Sequence, residues 1–204
     1  MAYVWINPVV ARMYEPEILN TFLCLHGYKR FDVNTDWLAV VKEKYRFAVE
    51  DTEDTVVDVR CPRTRAVLEE LGVHSAITFP EIHPILIHCG QEGSKRADLL
   101  DDEKIITTPC QALADMGNAL GLEHTFFVTW KSFLESIGEQ PKGQIAKESP
   151  IPTGFFAELG VKTASVTGET EIREYFKDFS ANEVDLVELL YCKDGCHNGD
   201  GIIV

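Results

Sequence analysis

Residues 56–71 read Val56-Val57-Asp58-Val59-Arg60-Cys61-Pro62-Arg-Thr-Arg-Ala-Val67-Leu68-Glu-Glu-Leu71. A β-branched run leads straight into a cysteine, then a proline suited to a first helical position, then apolar residues at helical spacing. The stretch therefore predicts strand, turn and helix. The same alternation extends in both directions. Tyr3-Val4-Trp5-Ile6 reads as a strand, and Ile18, Leu19, Phe22 and Leu25 recur at helical spacing up to Gly27, a helix stop. Phe31-Asp32-Val33 is a short strand before a helix marked by Trp37, Val40, Val41 and Tyr45, which Thr35 or Asp36 would cap. Further strands are expected at Ile85-Leu86-Ile87, Ile105-Ile106-Thr107, Phe126-Phe127-Val128, Thr163-Ala164-Ser165-Val166 and Leu186 to Leu190, with helices after most of them. Such βαβ alternation predicts an α/β fold, its mostly parallel sheets flanked by helices. Gly138 to Thr153, with Pro141, Gly143, Pro150 and Pro152, reads as the clearest loop.

The chain has 204 residues, 45% hydrophobic and 25% charged, which is enough for a sizeable core in one domain or two small lobes. Nineteen Lys and Arg against 33 Asp and Glu leave a net charge of −14, which argues against nucleic acid or an anionic membrane as partner and favours a basic one. No run approaches the roughly 18 to 20 apolar residues of a membrane span, and the N-terminus lacks the pattern of a secretory signal. The expected location is cytoplasmic, where the six cysteines would serve packing, metal binding or chemistry rather than disulfides.

Four cysteines follow expected strands: Cys61, Cys89, Cys110 and Cys192. Cys196 comes four residues after Cys192. In open α/β sheets the carboxyl ends of strands line the ligand crevice. Cys61 and Cys110 also precede helices, whose positive ends would favour thiolate. Cys24, between Leu23 and Leu25, reads as core. In Cys192-Lys-Asp-Gly195-Cys196-His197-Asn198-Gly199-Asp-Gly201, glycines let the backbone wrap closely around a bulky anion. Two cysteines four positions apart depart from the two-residue gap of common zinc knuckles, so thiolate ligation of an iron-sulfur cluster fits better, with zinc as the alternative. Trp5, Trp37 and Trp130 read as core, and His26, His74, His83 and His124 as surface or capping residues.

These residues resemble the large-subunit catalytic domain of iron-only hydrogenases over nearly the whole chain. Ile6-Asn-Pro8-Val-Val-Ala-Arg12 is similar to the family's early Ala-Pro-Ala-Val-Arg segment, and Leu25-His-Gly27-Tyr28 with Phe31-Asp32-Val-Asn-Thr35 to its Leu-Gly-Phe and Val-Phe-Asp-Thr. Arg60-Cys61-Pro62 resembles its Thr-Ser-Cys-Cys-Pro motif, and Thr108-Pro109-Cys110 its Met-Pro-Cys. Glu188-Leu-Leu190-Tyr-Cys192-Lys-Asp-Gly195-Cys196-His-Asn-Gly199-Asp-Gly201 resembles its Glu-x-Met-x-Cys-x-x-Gly-Cys-x-x-Gly-Gly-Gly. The resemblance implies two α/β lobes, at 1–80 and 81–204, with a four-iron four-sulfur cluster between them held by Cys61, Cys110, Cys192 and Cys196. Gly195, Asn198, Gly199 and Gly201 would cradle it. Cys89 is left as a neighbour, a substitute ligand for Cys61, or a buried thiol.

The departures bear on function. Where the family has a proton-relaying cysteine this chain has Arg60, and where it has the lysine and glutamate of the two-iron site it has Leu113 and Met116. Its methionines before the second and third ligands are replaced by Thr108 and Leu190. The expectation is a cluster protein of redox or sensing function without hydrogenase activity, working with a redox protein partner. An alternative is a cluster-dependent enzyme for a small anionic substrate, with Arg60, Cys89 and His197 as catalytic residues and His88 beside them. A third is an interaction subunit with a structural metal.

Overall fold

The computed structural model describes every residue except 1, 74, 141, 142, 146, 151, 152, 182, 203 and 204. His74 and part of the expected loop at 138–153 thus lie outside the described residues. In chain order the elements are β1 (Ala2–Trp5), α1 (Pro8–Ala11), α2 (Pro16–Leu25), β2 (Tyr28–Arg30), α3 (Trp37–Glu50), β3 (Thr55–Val57), α4 (Pro62–Leu71), β4 (Ile77–Thr78), α5 (Ile85–Ser94), β5 (Glu103–Thr108), α6 (Gln111–Asn118), β6 (Thr125–Thr129), α7 (Trp130–Ser136), β7 (Thr163–Thr167), α8 (Glu169–Tyr175) and β8 (Leu186–Leu190). They build two four-stranded parallel sheets flanked by helices, as the alternation predicts.

The sheets belong to two units, and each unit is discontinuous in sequence. Met1–Thr35, Leu86–Pro150 and Cys196–Val204 form the first, Asp36–Ile85 and Ile151–Gly195 the second. The contiguous division at residue 80 is therefore corrected. The physical reason is strand pairing: β1 pairs with β5, Val4 opposite Ile105, and β3 pairs with β8, Val57 opposite Val187.

In the first unit the strand order is β2-β1-β5-β6. The β1 connection winds to one side through α2 and the β5 connection to the other through α6, so the winding reverses between β1 and β5. Asn7 and Thr107 tie these two strand ends together: the Asn7 backbone N–H donates to Thr107 Oγ1 at 2.9 Å, while Asn7 Oδ1 accepts from Val10 N–H and caps α1. The core holds Val4, Ile6, Val10, Leu19, Leu23, Ile105, Trp130 and Phe133. Helix α2 turns Leu19 and Leu23 inward, so Cys24, about 100° further round the helix, is exposed rather than core.

Residues 85–87 are helical, not a strand. An apolar run of this length suits either a buried strand or a buried helix turn, and the glycines that follow decide it by packing. A Cβ on Gly90 of α5 would stand 2.3 Å from the Phe127 ring of β6, and one on Gly117 of α6 would also stand 2.3 Å from it. Both helices thus approach one aromatic ring at a distance only glycine permits. The strand expected at Phe31 to Val33 lies earlier, at β2. Lys104 on β5 is fully buried, and its ammonium donates to the carbonyls of Leu99 at 2.7 Å, Asp102 at 2.8 Å and Leu100 at 3.4 Å. Burial lowers its pKa, opposed by the nearby Asp102.

In the second unit the order is β4-β3-β8-β7, with β3 and β8 as the central pair. Both faces of this sheet are covered. Val57, Val187 and Leu189 pack with Val67, Leu68 and Ile172 on one face, and Val56 and Leu186 pack with Val41, Tyr45, Phe155 and Phe156 on the other. Asp36 caps α3 by accepting from Ala39 N–H at 3.1 Å, and Pro62 occupies the first turn of α4.

Candidate metal centre

Cys61 is the N-cap residue of α4, in extended backbone after β3, and its carbonyl accepts from Thr64 N–H at 3.1 Å and Thr64 Oγ1 at 2.8 Å. Cys192 follows β8, the neighbouring parallel strand. With Val57 opposite Val187, Cys61 lies four residues and Cys192 five residues beyond paired positions at the carboxyl edge of one sheet. Open α/β sheets bind their ligands at this carboxyl edge. After Cys192 the chain turns sharply: Gly195 N–H donates to the Cys192 carbonyl at 3.1 Å, with Asp194 at φ +59 and Gly195 at φ +119. A side chain at that last φ is strained, so the turn depends on Gly195.

Cys110 occupies the equivalent place in the first unit. It is the N-cap residue of α6 after β5, at the reversal between β1 and β5, and only 8% exposed. The segment from Cys196 to Ile202 packs against it. Gly201 N–H donates to the Pro109 carbonyl at 3.0 Å, and Asp200 Oδ1 accepts from Gln111 N–H at 3.1 Å at the start of α6. A Cβ on Gly199 would stand 2.2 Å from the Pro109 oxygen, and one on Gly201 would stand 2.7 Å from Thr129 Cβ and 3.2 Å from Cys110 Cα. These two glycines serve first to lay the Cys196 segment on the Cys110 strand end, an employment the sequence reading had given to a ligand. Asn198 is exposed, and His197, in a 3-10 turn from Cys196 to Asn198, is buried.

None of the six cysteines forms a disulfide. Cys89, expected at a strand end, lies inside α5 at 3% exposure, and burial, helped by the charge of Glu92, pushes its pKa up to about 12. A thiol held protonated in this way suits neither ligation nor nucleophilic attack. Neighbouring His88 is buried in the same helix.

Arg60 has a different setting from the open pocket expected of a catalytic residue. Its guanidinium grips Asp58 with two bonds of 2.8 and 2.7 Å, 8% exposed, and its charged carbon stands 5.2, 4.7 and 4.8 Å from the rings of Tyr45, Phe155 and Phe156. Burial works against this charge, but the Asp58 carboxylate outweighs it and holds the pKa above the ordinary arginine value. Tyr45 donates to Asp58 at 2.7 Å, its own pKa pushed up by burial and then by Asp58. Close by on β8, the fully buried Glu188 accepts from Gly154 N–H at 2.7 Å, Phe155 N–H at 3.1 Å and Ser165 Oγ at 2.6 Å. This clamp escaped the sequence reading, although Glu188 stands in the quoted motif. A charged residue inside an apolar strand run was the signal, because such a group is buried only when it is partnered. A cleft of about 750 Å³ in the first unit is lined by Cys24, Tyr28, Lys29 and Arg30 among others, and one of about 510 Å³ in the second by Phe47 and Ile82 among others. Neither is lined by Arg60, His88, Cys89 or His197.

Among the described residues no three His, Cys, Asp or Glu side chains gather as the shell of one metal ion. That shell is what zinc requires, with every sulfur on the same ion. A four-iron cube takes each thiolate at a separate corner, so its ligands stand farther apart. Two features fit the cluster: four thiols outside disulfides, a pair from each sheet's carboxyl edge, and a buried His197 Nδ1 that finds no hydrogen-bond partner among the described residues. No helix among the described residues is long and apolar enough to cross a membrane. No family model, no curated protein and no solved structure matches the chain.

Proposed function

We propose that this protein binds one four-iron four-sulfur cluster, with Cys61, Cys110, Cys192 and Cys196 as donors, and works in electron transfer or redox sensing without hydrogenase activity. The observation that carries the reading is the placement of thiols at the carboxyl ends of central strands in both sheets: Cys61 and Cys192 after the paired β3 and β8 of one, Cys110 after β5 of the other with the Cys196 segment laid upon it. Cysteines used only as small apolar groups have no reason to collect at those edges. When bound, such a cluster supplies a one-electron couple whose potential follows its charge, burial and hydrogen bonds. The chain's own part is to hold the thiols. The N-cap positions of Cys61 and Cys110 and the glycine turns after Cys192 and Cys196 fix their backbones. Arg60 and Leu113, where the hydrogenases carry two-iron-site residues, are built into Asp58 and the core respectively, which supports the absence of hydrogen activation. The −14 charge favours a basic redox partner in the cytoplasm.

The test is iron and acid-labile sulfide content of anaerobically reconstituted protein, with paramagnetic resonance after reduction, across six single cysteine-to-alanine variants. Cys61→Ala, Cys110→Ala, Cys192→Ala and Cys196→Ala are expected to lose the cluster, while Cys24→Ala and Cys89→Ala keep it. Stoichiometric zinc with no iron, or a Cys61→Ala variant of full iron content, would overturn the assignment.

A further inference from the structure

We infer that His197 donates a hydrogen bond from Nδ1 to a sulfur of the bound cluster and thereby raises its reduction potential, an inference that rests on the cluster reading above. His197 is 5% exposed, and its Nδ1 is sealed from solvent without a hydrogen-bond partner among the described residues. Desolvating such an atom without a partner is unfavourable, and folded proteins seldom do so. The polar groups nearest in the chain are already engaged. The Cys196 carbonyl accepts from Gly199 N–H, the Pro109 carbonyl from Gly201 N–H, the Gly201 carbonyl from Lys131 N–H, and Asp200 Oδ1 from Gln111 N–H. What is left wanting is one partner beside Cys196, and the described residues do not supply it.

The chemistry of that partner follows from its neighbours. His197 is joined to Cys196, and the segment is packed on Cys110, so the acceptors that loading would bring to this place are the sulfides of the cluster and the thiolates ligating it. Both carry negative charge and accept N–H hydrogen bonds, and each such bond draws electron density from the cluster and eases its reduction. His197 is then a positioning and tuning residue; it ligates no iron. Neutral imidazole with its proton on Nδ1 is sufficient.

The experiment uses the full chain, reconstituted anaerobically after incorporation of nitrogen-15 histidine. In the reduced wild type, pulsed paramagnetic resonance is expected to show a weak coupling to one imidazole nitrogen. His197→Phe, which keeps a ring in the buried space, is expected to retain iron and sulfide, lose that coupling and shift the midpoint potential to a more negative value. His197→Gln, which keeps an N–H, is expected to fall between the two. Full cluster content with no coupling in the wild type, or an unchanged potential in both variants, overturns the role of His197 while leaving the cluster standing. A wild type that takes up no iron or sulfide overturns the cluster reading itself. If His197→Phe fails to fold, the wild-type coupling and the His197→Gln potential still decide.

Discussion

A thiol buried inside a helix, with a carboxylate near it, stays protonated above its ordinary range, and Cys89 is such a thiol. Its behaviour gives a test with a defined sign. Because the folded pKa lies near 12 and the unfolded one near 9, the folded state holds the extra proton between those limits. Stability is full below pH 9 and falls by about 1.4 kcal/mol per unit as pH rises toward 12 from this group alone. At pH 8, iodoacetamide is expected to modify exposed Cys24 in the native protein and to reach Cys89 only after denaturation, read by mass spectrometry of the labelled peptides. Equal rates at both residues in the native state would contradict the burial described. The positions of Cys61, Cys110 and Cys192 after strands were legible because β-branched runs precede them. Cys24 and Cys89 were misread for one shared reason: helix phase and helix identity, which decide what a flanking leucine or isoleucine implies, depend on packing partners elsewhere in the chain.

Strand β8 carries the most consequential element-scale device. Its central Glu188 accepts three hydrogen bonds and pins residues 154 and 155, whose aromatic neighbours close over Arg60. Glu188→Ala removes the acceptor from two buried amides and a hydroxyl, and is expected to cost about 3–5 kcal/mol, the range for breaking one side of a buried charged network. Hydrogen exchange at Gly154 and Phe155 is expected to accelerate ahead of the sheet amides. Unchanged exchange at those two amides would show that the clamp does not hold the segment. Most strands were readable from alternation and β-branching. The two-residue β4 was not, being too short for any period, and α5 was mistaken because the Phe127 ring that selects a glycine-bearing helix lies on β6.

At the scale of the whole molecule, chain order and spatial order part company. Val56 pairs with Leu186 and Val4 with Ile105, so neither sheet is complete until distant segments have been made. Closing such long loops delays the reward of pairing, and slow folding follows. A contiguous piece of residues 1–80 contains β1 without β5 and β3 without β8. It is expected to show no cooperative thermal transition by circular dichroism, whereas the full chain shows one or more. A cooperative transition in the piece would restore the contiguous division that the sequence suggested. That division was illegible for a simple reason: periodicity marks strands, but the identity of a strand's neighbour is written in packing that no local window contains.

The ammonium of Lys104 offers a last consequence. Three main-chain oxygens converge on it, the arrangement by which loops elsewhere recruit a loose monovalent ion. Here the counter-charge is tethered to the strand it serves. Its occupancy therefore obeys no mass action, and desalting or chelation strips nothing from this turn. The protein thus keeps one electrostatic support that does not depend on dissolved ions, while any cluster it carries depends on the supply of iron and sulfide.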